Sequence, residues 1–190
     1  MTWMLTYTGR KVYPAELEPQ DVDIRDIAHH LSMLCRFTGA CRTFYSVAEH
    51  SLLVCRLLAE VSPDDDRLQL CGLLHDAPEA YLSDLATPLK RQLPLYGAME
   101  RAAWWAIAER FDLPMALPPA VKHADLVALA IERRDLMPPY PEQWSVLEGI
   151  RAPDKYTAIG LAPEVVKQAF IGGCEFLLGR VALRAARSAA

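Results

Sequence analysis

Residues 71–80 read CGLLHDAPEA, and an apolar run in this stretch ends at two adjacent titratable residues, His75 and Asp76. Titratable side chains are costly to bury unless they are hydrogen-bonded, paired with another charge or bound to a metal. The stretch therefore predicts a buried helix that ends in a polar pair. It also predicts that partners for this pair come from other parts of the chain.

Composition narrows the class of protein. The chain has 190 residues, of which 52% are hydrophobic, enough for one domain with a proper core. Its formal net charge of −4 gives no basic surface for a nucleic-acid polymer, although a single nucleotide needs only one or two cations. We expect no membrane span, because no apolar run approaches roughly 20 residues, and the N-terminus lacks a secretory layout. Five cysteines without a CxxC pair indicate reduced thiols and a cytoplasmic location.

Hydrophobic periodicity predicts an almost entirely helical chain. The expected helices cover residues 24–37, 46–59, 64–75, 96–111, 119–136 and 163–184. Asp23 is a candidate N-cap for the first helix, and Ser46 with Glu49 has the spacing of a capping box. Residues 2–13 alternate weakly around a turn, which is typical of a short β-hairpin.

These elements predict one all-α domain over residues 1–190, since the chain has no repeats and no long linker. The motif-bearing part covers about residues 20–136. A C-terminal helical segment, residues 140–190, follows prolines that interrupt the pattern and is expected to close the core.

Polar residues on other apolar helices are the candidate partners of the pair. His50 and Asp125 each lie among hydrophobic helix positions. Two imidazoles and two carboxylates form a mixed nitrogen and oxygen ligand set that suits Mn, Co, Ni, Fe or Zn. Adjacent helix residues diverge by about 100°, so His75 and Asp76 can share one ion only if the helix end turns. Pro78 favours such a distortion.

A structural interpretation competes with this one. A single histidine among leucines is usually a hydrogen-bonded core residue, and an aspartate near a helix end is often a cap. The adjacency of His75 and Asp76, together with polar residues in neighbouring apolar helices, favours a metal site.

The motifs resemble those of HD-domain phosphohydrolases, which are named for the pattern H…HD…D. The segments SVAEHSLLV, LLHDAPEAYLSDLATPLK, VKHADLVALA and IAHHLSMLCRFTG are similar to parts of YfbR-type 5′-deoxynucleotidases. TYTGRKVYP and DIRDIAHHLSMLCRF have counterparts in phage dATP triphosphohydrolases. Together these segments span about residues 5–135, so the resemblance implies a single HD-domain helical bundle.

This resemblance implies one divalent cation, which could be Mn, Co, Ni, Fe, Zn or Mg. Its expected ligands are His50, His75, Asp76 and Asp125. The same resemblance assigns Glu79 to the attacking water, as general base or orienting group. The competing interpretation of Glu79 is an exposed carboxylate at a helix end.

Substrate contacts are also implied by the resemblance. Arg36 is the candidate phosphate clamp, because its planar guanidinium matches phosphate oxygens; the alternative is an arginine favoured by a helix dipole. Phe37 replaces a tryptophan of the related deoxynucleotidases and could contact sugar or base, or belong to the core. Asp84 is expected near the sugar hydroxyl or leaving oxygen, or as an N-cap. Pro88 and Lys90 are expected in the same substrate-binding loop.

The remaining histidines and a tryptophan pair complete the candidates. His123 lies two residues before Asp125 and is expected to point away from a mononuclear site; His29 and His30 are not expected to bind the metal. The pair Trp104 and Trp105 is typical of core or of a subunit interface, and we expect a homo-oligomer.

The leading hypothesis is an enzyme that hydrolyses (deoxy)nucleoside 5′-monophosphates to nucleoside and phosphate. A close alternative releases triphosphate from a dNTP, for which Lys90 and Lys122 could contact the polyphosphate. A non-catalytic nucleotide-binding HD module and a purely structural helical protein are the other classes.

Overall fold

The computed structural model describes residues 2–188, and helices dominate this part of the chain. The predicted all-α class is confirmed. The helices are α1 Ile24–Met33, α2 Val47–Val61, α3 Asp66–Leu74, α4 Glu79–Leu82, α5 Thr87–Lys90, α6 Pro94–Phe111, α7 Pro119–Leu136 and α8 Pro163–Ser188. Two short strands, β1 Met4–Leu5 and β2 Lys11–Val12, pair antiparallel as the expected hairpin. Among the helices of residues 2–188, every one is too short or too polar to cross a membrane.

Two of the predicted helix starts are capped as expected. Asp23 accepts a hydrogen bond from the Arg25 backbone N–H at the start of α1. Ser46 accepts one from the Glu49 backbone N–H at the start of α2. The reciprocal half of the capping box is wrong, because the Glu49 carboxylate instead accepts hydrogen bonds from Gly160 and Leu161.

The end of α1 differs from the prediction: the helix ends at Met33, not at residue 37. After Met33, backbone hydrogen bonds to the start of α2 and the residues before it replace the helical ones. The Arg36 N–H donates to the Tyr45 oxygen (2.9 Å), and the Val47 N–H donates to the Leu34 oxygen (3.0 Å). These bonds hold the chain in an extended conformation that a helix cannot share. Arg36 therefore lies in a turn rather than at a helix end.

The core forms where α1, α2, α3, α7 and α8 pack together. Ile27 and Leu31 of α1 are fully buried, and so is Phe170 of α8. The predicted C-terminal helix therefore packs against the motif-bearing helices. Trp104 is buried, whereas Trp105 is 56% exposed, so only the first of the pair is a core residue. All five cysteines are free thiols, as predicted.

Gly72 allows α2 and α3 to approach closely. A Cβ atom at this position would overlap Leu58 Cδ1 and lie 3.6 Å from the Cys55 Cα atom of α2. Glycine lets two backbones come nearer than any other residue does. This close approach matters for the site, because His50 lies on α2 and His75 follows the last residue of α3.

Candidate functional site

Three predicted metal ligands converge where α2 meets the end of α3. The Nε2 atoms of His50 and His75 lie 3.3 Å apart. Asp76 Oδ2 lies 3.6 Å from the first and 3.3 Å from the second. Imidazole nitrogens and a carboxylate oxygen are suitable ligands for a divalent metal. His50, His75 and Asp76 could therefore hold a metal ion together.

A tight turn after α3 brings the adjacent residues His75 and Asp76 into one cluster. Past Leu74 the backbone makes short-range hydrogen bonds, with Ala77 donating to Leu74 and Glu79 donating to Asp76. Pro78 has no N–H and cannot continue the α-helical pattern. The distortion expected from Pro78 is thus present, and it removes the divergence that a straight helix would impose.

Asp125 joins the cluster from α7. Its Oδ1 atom lies 3.3 Å from His50 Nε2, and its Oδ2 atom accepts a hydrogen bond from Lys122 (2.7 Å). Burial opposes ionisation of this carboxyl, but the His50 hydrogen bond and the nearby imidazoles hold the pKa of Asp125 below its usual range. Asp125 thus lies beside His50, while the ligand atoms of His50, His75 and Asp76 all lie within 4.8 Å of one another. The role of these four residues as ligands stays a prediction.

The other ring nitrogen of each histidine has its own partner. His50 Nδ1 lies 2.6 Å from Glu132 Oε1, and His75 Nδ1 lies 2.8 Å from the Gly72 carbonyl oxygen. When Nδ1–H donates in this way, the Nε2 lone pair stays available for a metal. The surrounding carboxylates also exceed the cations in number, which favours a bound cation. The residues therefore fit a divalent metal.

Glu132 is the residue that sequence analysis missed. It lies on α7, seven residues after Asp125, and is fully buried. Seven residues correspond to about two helical turns, so both carboxylates lie on one face of α7. That spacing was the available signal, but ERRD also has the composition of an exposed helix surface.

Arg36 lies beside the metal ligands. Its Nε donates to Glu132 Oε2 (3.1 Å), and its Nη1 lies 3.6 Å from Asp76 Oδ2. The side chain is 12% exposed. Burial lowers the pKa of Arg36, but Glu132 and Asp76 outweigh it and raise the pKa above its ordinary value, so the group is cationic. The helix-dipole interpretation is wrong, because α1 ends before this residue.

Glu79 is buried next to the cluster, so the exposed-carboxylate interpretation is wrong. Its Oε1 lies 3.4 Å from Lys90 Nζ, and among the described residues its Oε2 has no hydrogen-bond partner. Burial and the charges of Asp76 and Asp84 raise the pKa of Glu79 well above that of an ordinary glutamate. A buried carboxylate oxygen without a partner is uncommon and leaves room for a donor such as water.

The predicted substrate residues divide into two groups. Lys90 lies beside the cluster, because it bridges Glu79 and Glu100. Asp84 is partly buried, and it lies near enough to interact electrostatically with Arg36 and Asp76. Burial raises the pKa of Asp84, and the charge of Asp76 adds to this effect, whereas the positive charges of Arg36 and Lys90 oppose it. The N-cap interpretation of Asp84 is wrong, because the cap position of α5 is Ala86. The expected loop is wrong, because Pro88 and Lys90 both lie in the short helix α5, where Pro88 is exposed.

Phe37 follows Arg36 in a left-handed backbone conformation with φ of 56°. Its ring lies 6.0 Å from that of Trp144, and the Arg36 guanidinium lies 5.4 Å from its centroid. Trp144 was not singled out in the sequence. The pair forms a partly exposed aromatic surface beside Arg36.

The other histidines lie outside the cluster. His30 Nδ1 lies 2.7 Å from the Ala80 carbonyl oxygen, and its Nε2 accepts from the Tyr7 backbone. His29 stacks on the Tyr7 ring at 3.8 Å. His123 is exposed on α7, as predicted.

Comparison with known proteins gives relatives without a known activity. The sequence matches no protein-family model. The chain is 42% identical over 163 residues to the uncharacterized protein YfdR of Escherichia coli (strain K12), covering 86% of this chain and 88% of that protein. It is 38% identical over 142 residues to the uncharacterized protein RCAP_rcc00048 of Rhodobacter capsulatus, covering 70% and 72%. The chain therefore belongs to the same family as YfdR.

Proposed function

We propose that this protein is a metal-dependent phosphohydrolase of the HD-domain type that hydrolyses (deoxy)nucleoside 5′-monophosphates. Water attacks phosphorus, the bond to the 5′ oxygen breaks, and nucleoside and inorganic phosphate are released. One observation carries the proposal: His50, His75 and Asp76 converge beside a largely buried arginine and a buried glutamate that has, among the described residues, an unpartnered oxygen.

His50, His75, Asp76 and Asp125 would hold the divalent cation. When bound, such a cation supplies Lewis-acid polarisation of the phosphate and lowers the pKa of water. Arg36 binds the phosphate oxygens, where a fixed guanidinium stabilises the negative charge of the transition state. The Oε2 atom of Glu79 accepts the proton of the attacking water.

The charges around the site favour a monophosphate over a triphosphate. Lys90 lies between Glu79 and Glu100, and Lys122 pairs with Asp125. These two lysines were the candidate polyphosphate contacts. Arg36 is also paired with carboxylates, Asp76 and Glu132, so the pairing of the lysines does not by itself exclude them. What favours a monophosphate is that carboxylates outnumber cations around the cluster, which leaves little positive charge for further phosphates.

We also propose a cytoplasmic location for the protein. The five free thiols support it, because disulfides are rare in reducing compartments.

A substrate panel tests this function. Protein stripped of metal and resupplied with Mn²⁺ or Co²⁺ is given each dNMP, NMP and dNTP, with inorganic phosphate and triphosphate quantified separately. Asp76→Ala serves as the blank. We expect Mn²⁺- or Co²⁺-dependent phosphate release from monophosphates. Triphosphate release from dNTPs would reassign the substrate, and no metal-dependent release would leave a non-catalytic binding module.

A further inference from the structure

Glu132 makes hydrogen bonds to both His50 and Arg36, whereas Asp76 approaches each of these side chains only to 3.6 Å. One carboxylate oxygen lies 2.6 Å from His50 Nδ1, and the other accepts from Arg36 Nε at 3.1 Å. The side chain is 0% exposed, so water does not compete for either oxygen. A single carboxylate therefore contacts both a candidate metal ligand and the candidate phosphate clamp.

We propose that Glu132 is a positioning residue that makes metal affinity and phosphate affinity depend on the same carboxylate. The proposal rests on the function proposed above, because it assigns the metal to His50 and the phosphate to Arg36. Glu132 touches neither ligand in this arrangement. It acts through the orientation of the two side chains that do.

The contact with His50 determines which ring nitrogen faces the cluster. A carboxylate that accepts from Nδ1–H keeps the Nε2 lone pair directed at His75 and Asp76. Partners of this kind fix the orientation of metal-binding histidines, and their loss typically weakens metal binding by about 10–100-fold.

The contact with Arg36 limits the motion of a long side chain. Arg36 lies in a turn that is followed by two residues with left-handed backbone, Phe37 and Thr38. Ordering an arginine costs side-chain entropy, so a guanidinium that is already held binds phosphate at a lower cost. Removing the carboxylate would leave Arg36 with Asp76, at 3.6 Å, as its remaining ion-pair partner among the described residues.

Only a carboxylate can serve both contacts. His50 Nδ1 and Arg36 Nε are both N–H donors in this arrangement, and a carboxylate has two acceptor oxygens. A glutamine has one acceptor oxygen and one NH₂ group. Glu132→Gln therefore preserves the shape of the side chain but at most one of the two contacts.

The test compares Glu132→Ala and Glu132→Gln with wild type and with Glu49→Gln as the matched control. Glu49 is another buried glutamate, but it accepts hydrogen bonds from the Gly160 and Leu161 backbone. Calorimetry measures Mn²⁺ binding in phosphate-free buffer. It then measures inorganic phosphate binding at saturating Mn²⁺, so that weakened metal binding does not conceal the second effect.

We expect Glu132→Ala to bind Mn²⁺ about 10–100-fold more weakly and inorganic phosphate about tenfold more weakly, while Glu49→Gln binds both normally. Glu132→Gln should bind Mn²⁺, inorganic phosphate or both more weakly than wild type. If the alanine variant does not fold, the glutamine variant is used for the test. Normal binding of both ligands by the Glu132 variants would overturn the proposal, even if their melting temperatures fall. A change in only one affinity in Glu132→Ala would overturn it as well.

The result is separable from the proposed function. Wild-type protein that binds Mn²⁺ and phosphate but hydrolyses no nucleotide would refute the hydrolase and leave the role of Glu132 intact. Wild-type protein that binds no Mn²⁺ would overturn both.

Discussion

Two buried glutamates close to His50 differ in what they bind, and the regions around them differ in the same way. Glu49 precedes His50 on α2, and its carboxylate accepts from the backbone N–H groups of Gly160 (3.2 Å) and Leu161 (2.7 Å). Glu132 on α7 contacts the side chains of His50 and Arg36. We call the first region the latch, defined by Glu49, Gly160 and Leu161.

The latch has the properties of a structural contact. Its donors are backbone N–H groups, which every non-proline residue has. Their hydrogen bonds to Glu49 hold the segment before α8 against α2. Gly160 has φ of +78°, and a Cβ atom there would overlap the Phe44 backbone oxygen. In the cluster around Glu132, by contrast, both donors are side chains that can bind ligands. The type of donor, rather than burial, distinguishes this structural contact from the candidate site.

We expect the largest difference between the cluster and the latch from Asp76→Asn. The substitution removes a charged ligand atom from the cluster but leaves the latch untouched, so we expect loss of all metal-dependent phosphate release. We also expect a lower melting temperature than that of wild type without metal. Burial raises the pKa of Asp76, but His75, His50 and Arg36 hold it below its ordinary value, so the charged carboxylate stabilises the fold. Parallel phosphate assays and thermal melts measure both. Retained activity would remove Asp76 from the site.

Glu79→Gln should lower kcat by roughly 10²–10⁴-fold, the range for loss of a general base. Because the pKa of Glu79 is raised, the wild-type rate should fall as the pH decreases through a value above the ordinary glutamate range. Below that pH the carboxyl is protonated and cannot accept the water proton. A pH profile of kcat measures this limb, which should vanish in the variant. An unchanged profile would assign the limb to another group.

Gly160→Ala tests the latch from the backbone side. The alanine would have to adopt a left-handed backbone conformation, and its Cβ atom would overlap the Phe44 backbone oxygen. Together these effects should lower the free energy of unfolding by about 3 kcal/mol or more. Gly149→Ala is the matched control, because Gly149 has φ of +75° with open space around it, and strain alone should cost about 1–2 kcal/mol. Urea denaturation measures the difference. Equal losses would show that the close approach to Phe44 is unimportant.

Glu49→Gln should have the smallest effect. The amide keeps one acceptor oxygen for two backbone donors, so we expect a loss of about 1–2 kcal/mol in the free energy of unfolding. The kcat of the folded variant should equal that of wild type. Chemical denaturation together with a phosphate assay checks both quantities. A large fall in kcat without a change in stability would place Glu49 in the site.

Much of the fold was predictable from local signals. Asp23 and Ser46 cap helices because their short side chains reach nearby backbone N–H groups, and α7 spans the predicted range. The end of α1 was not predictable in this way. The last predicted turn does not form, because residues 34 and 36 make backbone hydrogen bonds to Val47 and Tyr45 instead. These partners lie about ten residues away in the sequence, outside the range of a helical pattern.

The candidate site was predictable to a similar extent. His50, His75, Asp76 and Asp125 stood out because polar residues interrupt apolar helices. The structure brings the first three into one group and places Asp125 against His50. Their binding of a metal remains a prediction. Glu132 and Trp144 did not stand out, since each lies in a stretch whose composition is that of an ordinary helix surface or loop.

The sequence by itself determined where helices begin, which faces are apolar and which polar residues interrupt those faces, because these properties depend on neighbours within a few residues. Apart from such local caps as Asp23 and Ser46, the partners of the buried polar groups were decided by the tertiary structure. Glu49 and Glu132 both lie on helices. The packing of the segment before α8 against α2 gives Glu49 two backbone N–H donors. The packing of α2 against α7 places Glu132 beside His50, and Arg36 also lies within reach of it. Hydrogen bonds act over about 3 Å, so the packing of distant segments assigns their partners.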